Sequence, residues 1–334
     1  MIKTIFFSSK PYVETAFKAA ALDLKSDMQM DFYSDSINIK NAVIAKGYDV
    51  VCAFVNDNIT AEVIKVLKEN GCKLIALRCA GYNNINLKSA KLYGIPVVRV
   101  PEYSPYAVAE MAFALLLTIN RKIHKAHNRV RELNFNIDGL LGFDLHGKTI
   151  GVIGTGKIGK IFINIAKGFG MNVIAYDPYP DTEASAKLDY KYLKLDEIYN
   201  QSDIIALHCP LTKDTHHIIN KSSIAKMKKG VVIVNTSRGG LIDTQDIIQG
   251  LKDEIISALA IDVYEEEENV FFEDYSQKSN ITDDVLSRLI TFNNVIVTSH
   301  QAFFTKEALD NISKITIDNI VSFIDNSELK NEVV

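Results

Sequence analysis

Short apolar runs and amphipathic stretches alternate over the first hundred residues. The apolar runs have the length and β-branched composition of buried strands, and they lie at 3–9, 49–55, 73–81 and 95–101. The amphipathic stretches have helical spacing and lie at 11–24, 60–71 and 86–94. Pro11 suits the first turn of a helix, and Thr60 and Gly71 suit the two ends of the next helix. The alternation predicts a small α/β domain with a parallel sheet.

A long helical pattern follows, from Ser104 to about Glu132. Ser104 and Pro105 suit a capped start with proline at the first position. The first half is apolar nearly all round, so another part of the structure must cover it. A place in the core or a contact between subunits would satisfy this need, and both interpretations stay open. The helix would also bridge the first α/β domain to a second one.

A glycine-rich signature opens the second α/β pattern. A strand pattern at 150–153 leads into Gly154-Thr155-Gly156-Lys157-Ile158-Gly159, and a helix pattern, a strand pattern and Asp177 come next. In dinucleotide sites the first glycine makes a tight turn, the second lets the backbone approach the pyrophosphate, and the third lets the helix pack on the strand. An acid about 20 residues further on binds the ribose. The order of these features predicts a dinucleotide site, and a glycine-rich turn without a ligand is the alternative.

Asp177 also bears on the choice of cofactor. A carboxylate accepts hydrogen bonds from ribose hydroxyls and repels a 2′-phosphate, which NADP sites usually meet with an arginine. The residues after Asp177 are Pro178, Tyr179 and Pro180. NAD is therefore favoured over NADP.

The rest of the chain continues the strand and helix alternation. Strand patterns lie at 203–210, 230–240, 256–264 and 294–300, and helical patterns at 222–230, 244–254 and 306–325. Together with the strands around the glycine signature they predict a doubly wound sheet of about six strands. The polar stretch 265–288 predicts a long functional loop.

Composition narrows the classes of function. The net charge is −4 and the basic residues are scattered, which gives no case for nucleic acid or an anionic membrane as a partner. The most apolar helical stretch is far shorter than the roughly 20 residues that span a bilayer. The first residues suit a strand better than a signal peptide, so the expected location is the cytoplasm. The cysteines lack C-x-x-C spacing and are expected to be reduced, packed thiols: Cys52, Cys72, Cys79 and Cys209.

Three polar residues follow the late strand patterns. Arg238, Glu267 and His300 would lie at one edge of a parallel sheet, beside the dinucleotide site. An arginine fork can bind a carboxylate, a histidine can give a proton to a carbonyl, and a carboxylate can stabilise the imidazolium. Taken singly, each residue has a plainer interpretation. Arg238 could form a surface ion pair, Glu267 could belong to a solvated face formed by Glu265–Glu268, and His300 could be an ordinary polar residue at a strand end. Their shared placement favours a keto-acid redox site.

Other histidines carry less weight. His216 and His217 lie in a polar stretch, and we interpret them as a solvated loop. His124 and His127 are three apart on a predicted helix without a cysteine or carboxylate partner. No metal site is predicted.

Six motifs in order resemble one family along essentially the whole chain: LRCAGYNNI, VPEYSPYAVAE, GVIGTGKIG, VNTSRGGLID, AIDVYEEE and SHQAFFT. The chain resembles the D-isomer-specific 2-hydroxyacid dehydrogenases. The resemblance implies two doubly wound, Rossmann-like α/β domains with a cleft between them. The substrate domain would be discontinuous (1–102 and 301–334), and the NAD-binding domain would span 103–300. It also implies a fermentative homodimer joined through the nucleotide domain.

The resemblance assigns roles to matching positions. Arg238 would bind the substrate carboxylate, His300 would be the acid/base, and Glu267 its partner. The further positions that it implies for the substrate are Ala80, Gly81, Tyr103 and Phe303. Besides the glycine signature and Asp177, those that it implies for the cofactor are Cys209, Pro210, Thr236 and Asp262. Phe303 and Phe304 would form an aromatic wall beside His300, and core packing of the last helix explains them equally well.

The resemblance also implies the reaction, which is reversible reduction of a 2-keto acid by NADH. Our hypothesis is pyruvate and D-lactate as the substrate pair. Members of the family that use formate carry glutamine where Glu267 stands, which argues against formate. Two alternatives stay open: a bulkier or different keto acid such as 2-ketoisocaproate, phenylpyruvate or hydroxypyruvate, and a non-enzymatic NAD-sensing protein.

Overall fold

The chain folds as two α/β units. The computed structural model describes residues 2–24, 28–277 and 281–334. The first unit runs to Ser104 and resumes at Phe303, and the second unit is Pro105–Ala302. Both boundaries lie two residues beyond those expected from the sequence, at 102 and 300.

The first unit is built on a parallel five-stranded sheet. Its strands are β1 (Ile2–Phe6), β2 (Met28–Phe32), β3 (Val50–Ala53), β4 (Leu74–Leu77) and β5 (Val97–Arg99). The order β2-β1-β3-β4-β5 is that of a doubly wound sheet. Strand β2 is absent from the predicted elements, because this edge strand is only partly buried and carries Gln29 and Asp31.

Three helices connect these strands: α1 (Pro11–Asp23), α2 (Ala61–Glu69) and α3 (Leu87–Tyr93). The predicted caps of α2 are confirmed. The Thr60 side chain accepts a hydrogen bond from the Val63 amide, and Gly71, just past the end, has φ +91°.

The predicted single helix from Ser104 to Glu132 is wrong. It is two helices, α4 (Pro105–Arg121) and α5 (Ile123–Arg131), separated by Lys122 in a left-handed conformation with φ +50°. The Lys122 ammonium donates to the carbonyls of Gly139 and Leu141, and these contacts with a later segment favour the break. Helix α4 belongs to the core of the second unit, where Phe113 packs on Phe162, whereas α5 has no buried residue.

The second unit has seven parallel strands rather than about six. They are β6 (Thr149–Ile153), β7 (Asn172–Tyr176), β8 (Lys191–Tyr192), β9 (Ile204–Leu207), β10 (Val231–Asn235), β11 (Ile256–Ile261) and β12 (Val295–Val297). Their order is β12-β11-β10-β9-β6-β7-β8. The missed strand is β8, which is two residues long and lies at the edge.

Besides α4 and α5, six helices pack on this sheet or join its strands. They are α6 (Lys157–Gly168), α7 (Thr182–Leu188), α8 (Leu195–Gln201), α9 (Lys221–Ile224), α10 (Thr244–Lys252) and α11 (Asp284–Leu289). Helix α11 and a short 3₁₀ turn at Glu267–Asn269 lie inside the stretch predicted as one long loop.

The last helix, α12 (Lys306–Ile324), returns to the first unit, which is therefore discontinuous as expected. Ile320 joins the core formed by Val50, Leu74 and Val98. The chain end then pairs antiparallel with β5, through Val98 and Glu332. Over the described part of the chain, none of the helices combines the length and the apolar character that a membrane crossing requires. All four cysteines are buried free thiols, as predicted.

Candidate active site

The predicted site residues of the second unit follow six of its strands. The glycine signature follows β6, Asp177 follows β7, and Cys209 lies just after β9. Arg238, Glu267 and His300 follow β10, β11 and β12, which are neighbours in the sheet. All six strands are parallel, so their carboxyl ends share one edge. The connection changes direction between β6 and β9, which is where open α/β sheets bind ligands.

The three glycines of the signature have different surroundings. Gly154 has φ +98°, and a Cβ built on it would lie 2.5 Å from the carbonyl carbon of His208. A Cβ on Gly159 would lie 2.1 Å from the Gly154 carbonyl oxygen, so α6 packs against the strand here. Apart from Gly156 itself and its two chain neighbours, no heavy atom of the described residues comes within 4 Å of a Cβ built on Gly156. Protein atoms thus fill the space beside Gly154 and Gly159, whereas the space beside Gly156 is open to a ligand.

Asp177 is held by backbone amides. Its carboxylate accepts from the Thr155 amide at 2.7 Å and from the Tyr179 amide at 2.9 Å. The Thr155 hydroxyl contacts Tyr192 Oη at 2.7 Å. The carboxylate is therefore oriented by its own neighbours, and the Thr155 amide binds Asp177 instead of pointing into the glycine loop. Lys157 and Ile158 form the first turn of α6, where helix N–H groups attract anions.

The other residues expected to line the cofactor differ in exposure. Pro210 is exposed, whereas Cys209 is buried and burial raises the pKa of its thiol to about 12. Thr236 is buried, and its hydroxyl has no hydrogen-bond partner among the described residues. A buried hydroxyl without a partner is uncommon in proteins, and a bound ligand would supply the missing partner.

Arg238 is positioned by a residue that the sequence analysis missed. The buried Asn235 side chain donates to the Arg238 carbonyl at 2.8 Å and accepts from the Ser237 amide at 3.0 Å. Arg238 Nη1 donates to the Ser237 carbonyl at 2.6 Å. The turn after β10 is thus tied to the last residue of the strand. The sequence signal that could have identified Asn235 is its position at the end of a β-branched run. An asparagine side chain commonly forms a hydrogen bond with the backbone two residues further along the chain.

His300 and Glu267 are in direct contact. His300 Nδ1 lies 2.6 Å from Glu267 Oε1, and the second carboxylate oxygen accepts from the Tyr264 amide at 2.9 Å. The two side chains are 14% and 18% exposed. His300 has φ +53°, and its amide donates to the Asp262 carbonyl at 2.7 Å. The carboxylate fixes the orientation of the imidazole ring and would stabilise its protonated form.

Asp262 holds the loop that carries His300. Its carboxylate is fully buried and accepts from the Thr298 hydroxyl at 2.5 Å, the Gln301 amide at 2.9 Å and the Ala302 amide at 2.7 Å. Burial raises the pKa of Asp262, and the hydrogen bond from Thr298 is the largest of the opposing effects. The structure thus places Asp262 as a support for His300, with its oxygens engaged by protein donors.

Glu265, on the same turn as Glu267, forms a second histidine–glutamate pair with His217 of the segment after β9, so the solvated-loop interpretation of His217 is wrong. His217 Nε2 contacts Glu265 Oε1, and the two side chains are 28% and 25% exposed. Glu265 Oε2 accepts from the Thr244 hydroxyl at 3.0 Å. The plainer interpretation of the glutamate run as a solvated face is wrong for Glu265 and Glu267, because both carboxylates face histidines across the fold.

The turns after β10 and β11 pack backbone on backbone. A Cβ built on Gly239 would lie 2.1 Å from the carbonyl carbon and oxygen of Tyr264. Only glycine fits at 239 without moving one of the two turns. The segment after Arg238 and the segment before Glu267 are therefore in contact.

The predicted substrate residues of the first unit form two groups. The Ala80 carbonyl accepts from Arg99 at 2.7 Å, and the Gly81 carbonyl accepts from the Cys79 thiol at 3.2 Å. The amides of Ala80 and Gly81 donate to no group within the described residues.

The second group of the first unit is aromatic. The Phe303 ring lies 6.3 Å from Tyr103 and 5.6 Å from Phe54, centroid to centroid. Phe303 is 7% exposed and Phe304 is 48% exposed. Core packing therefore describes Phe303 better than Phe304.

The comparison with known proteins decides the family. Residues 113–302 match the family model described as "D-isomer specific 2-hydroxyacid dehydrogenase, NAD binding domain". D-lactate dehydrogenase of Escherichia coli (strain K12) is 48% identical over 308 residues, which are 92% of this chain and 92% of that protein. The chain belongs to the D-isomer-specific 2-hydroxyacid dehydrogenases.

This dehydrogenase is also similar to solved structures. The apo-structure of D-lactate dehydrogenase from Escherichia coli superposes with a TM-score of 0.90 at 44% identity, covering 100% of both chains. The structure of D-2-hydroxyisocaproate dehydrogenase superposes with a TM-score of 0.83 at 31% identity, covering 99% of both. The predicted Rossmann-type α/β fold is confirmed, and the resemblance stated from the motifs is correct.

The dehydrogenase is an oxidoreductase, and its second unit is an NAD-binding domain, as predicted. The residues present fit that cofactor. Gly156 leaves open space at the start of α6, Asp177 is already oriented, and the buried Thr236 hydroxyl lacks a partner among the residues that the structure describes.

Proposed function

We propose that this dehydrogenase catalyses the reversible reduction of pyruvate to D-lactate with NADH. The observation that carries the proposal is the 2.6 Å contact of His300 with Glu267, on the strand edge that also bears the glycine loop. The similarity to a D-lactate dehydrogenase over 92% of the chain supports this choice of substrate.

The roles of the residues follow from their chemistry. Arg238 binds the substrate carboxylate through its guanidinium fork, which also orients the carbonyl. NADH, when bound, supplies the hydride that adds to the carbonyl carbon. His300 gives its proton to the carbonyl oxygen, so the product is a hydroxy acid, and Glu267 stabilises the imidazolium before that transfer.

The binding assignments complete the proposal. The substrate residues of the first unit, which is the substrate domain, are Ala80, Gly81, Tyr103 and Phe303. The free amides of Ala80 and Gly81 support a role with a carboxylate. The cofactor residues are Gly154, Thr155, Gly156, Lys157, Ile158, Gly159, Asp177, Cys209, Pro210, Thr236 and Asp262. Asp262 acts in this set through the His300 loop, because its carboxylate is engaged there.

The aromatic group favours a small substrate. The Phe303 ring packs against Tyr103 and Phe54, and an aromatic wall of this kind suits a small apolar substrate tail. A second candidate is a D-2-hydroxyacid dehydrogenase for a bulkier keto acid. The observation that favours it is the TM-score of 0.83 with D-2-hydroxyisocaproate dehydrogenase.

We also propose that the enzyme is a homodimer joined through the second unit. The segment 133–141 exposes four large apolar side chains, which are Leu133 at 79%, Phe135 at 71%, Ile137 at 78% and Leu141 at 87%. Lys122 and Arg129 hold this segment by donating to its carbonyls. An ordered apolar segment of this kind suits a protein partner, and a second copy is the simplest one.

A cytoplasmic location and a fermentative role, in which NADH is reoxidised, belong to the same proposal.

The test is NADH oxidation by the purified protein with pyruvate, 2-ketoisocaproate, phenylpyruvate and hydroxypyruvate in parallel. The reverse reaction is then measured with D- and L-lactate separately. We expect the highest kcat/KM for pyruvate and activity with D-lactate alone. Arg238→Lys is the matched variant, and we expect a large rise in KM because a point charge cannot replace the fork. A preference for a bulkier keto acid selects the second candidate, and normal kcat/KM in Arg238→Lys removes Arg238 from its role.

A further inference from the structure

A cluster of metal-ligating side chains lies outside the catalytic pair. His216, His217 and Glu265 each offer one ligand atom, and these atoms lie within 4.8 Å of one another. In the part of the chain that the structure describes, no other group of three such residues is this close. The rings of His216 and His217 lie 3.8 Å apart, centroid to centroid. His216 is exposed, and the other two are half-buried, so the cluster is open to solvent on one side.

Two further residues orient the inner members of the cluster. Glu265 Oε2 accepts from the Thr244 hydroxyl at 3.0 Å and from the Thr244 amide at 3.3 Å, which leaves Oε1 directed at His217 Nε2. His217 Nδ1 lies 3.5 Å from Asp243 Oδ2. A histidine whose second nitrogen faces a carboxylate, beside a carboxylate that is itself hydrogen-bonded, is the arrangement that supports zinc ligands in proteins.

We propose that His216, His217 and Glu265 bind Zn²⁺. Two imidazoles and one carboxylate suit zinc, whereas Mg²⁺ and Ca²⁺ require oxygen ligands. The ion takes the place of the direct contact between His217 Nε2 and Glu265 Oε1, and a small movement of His216 brings in the third ligand. The exposed side leaves the fourth position to water.

The position of the cluster predicts what zinc does to the fold. The His217 amide donates to the Gly240 carbonyl at 2.9 Å, and Glu265 lies two residues before Glu267. An ion held by all three ligands links the 216–217 loop to the turn after β11. Because the unfolded chain lacks this arrangement, zinc binding stabilises the folded protein.

The first experiment is titration calorimetry of the tag-free, metal-free protein with ZnCl₂, and with MgCl₂ as a comparison. We expect saturable binding of zinc and none of magnesium. His216→Ala and Glu265→Gln should each weaken zinc binding by more than about tenfold. His216 is exposed, so His216→Ala keeps the fold, and thermal unfolding without zinc verifies this. His127→Ala removes an exposed histidine elsewhere and should bind zinc like the parent.

A second control separates this site from the catalytic pair. His300→Asn should bind zinc with the affinity of the parent, because His300 is not a ligand. Zinc should also raise the thermal midpoint of the parent and of His300→Asn, but not that of His216→Ala. Absence of zinc binding, equal affinity in His216→Ala and the parent, or loss of binding in His300→Asn each overturns the proposal. No substrate is present, so these outcomes do not bear on the proposed reaction.

Discussion

Two histidine–glutamate pairs of the second unit take their glutamates from the turn after β11, yet the surroundings of the two histidines differ. His300 contacts Glu267 through Nδ1, and its Nε2 forms no hydrogen bond with any described residue of the chain. His217 contacts Glu265 through Nε2, while its Nδ1 faces Asp243 at 3.5 Å. In the His300 ring, one nitrogen contacts a carboxylate and the other is available to a substrate. In the second ring both nitrogens face carboxylates.

The difference separates two uses of the same residue types. A histidine that moves a proton to a substrate needs one nitrogen for orientation and the other for the reaction. A histidine engaged at both nitrogens cannot reach a substrate without breaking a contact, but it suits a structural or metal-binding role. The geometry of the second nitrogen, and not the presence of a carboxylate, distinguishes the pair that we propose as catalytic.

The strongest test of this contrast replaces the histidine of each histidine–glutamate pair with asparagine. His300→Asn should lower kcat for pyruvate reduction by about 10²- to 10⁴-fold, because the proton donor is lost. His217→Asn should reduce kcat far less, and should lower the free energy of unfolding by about 1–3 kcal/mol because Glu265 loses its partner. Steady-state kinetics and urea unfolding measure the two effects. Equal losses of kcat in the two variants would contradict the distinction.

A smaller loss of kcat is expected at Asp262, which contacts the loop that carries His300 and not the proposed substrate. Asp262→Asn places an amide where the carboxylate accepts from two backbone amides, so the His300 loop must shift. A shift of about 1 Å can lower kcat by up to about a hundredfold. KM for pyruvate should change less, because Asn235 and not Asp262 holds Arg238.

Thr298→Val is the matched control for Asp262→Asn. It removes one hydrogen bond to Asp262 and keeps the carboxylate and both amide contacts. We expect a clearly smaller loss of kcat in Thr298→Val. If the two variants lose kcat equally, the amide contacts are not what positions His300.

The effect that is smallest at neutral pH concerns a histidine that has no carboxylate partner. Both ring nitrogens of His208 are buried without a partner among the described residues, and burial lowers the pKa of His208 to about 3 from 6.5. The unfolded chain therefore takes up a proton here below pH 6.5 while the folded chain does not, so stability falls as the pH falls toward 3. His208→Leu should reduce that slope by up to about 1.4 kcal/mol per pH unit. Urea unfolding over a pH series measures it, and parallel slopes for parent and variant would refute the assignment.

Local patterns were enough for the features that depend on neighbours in the chain. The glycine signature, the strand 172–176 and Asp177 follow one another, so their order alone predicts the dinucleotide site. The same holds for Arg238, Glu267 and His300, because the end of a parallel strand locates the edge where a side chain lies.

Features that depend on distant contacts could not be predicted in this way. His217 and Glu265 are 48 residues apart, and their contact requires the folded segments after β9 and β11. The break at Lys122 depends on carbonyls at 139 and 141. The edge strands β2 and β8 are partly polar and partly exposed, so their pairing is settled by the neighbouring strand and not by their own composition.

The contact at Gly239 has a consequence for directed evolution of this enzyme. The backbone of Gly239 lies against that of Tyr264, so any other residue at 239 would move the turns that carry Arg238 and Glu267. Libraries aimed at new substrates should therefore leave this glycine unchanged. The aromatic group of Phe54, Tyr103 and Phe303 belongs to the other unit and shares no backbone with those turns. Because Tyr103 and Phe303 are proposed substrate residues, we expect that variation there alters the choice of keto acid and leaves the turns that carry Arg238 and Glu267 unchanged.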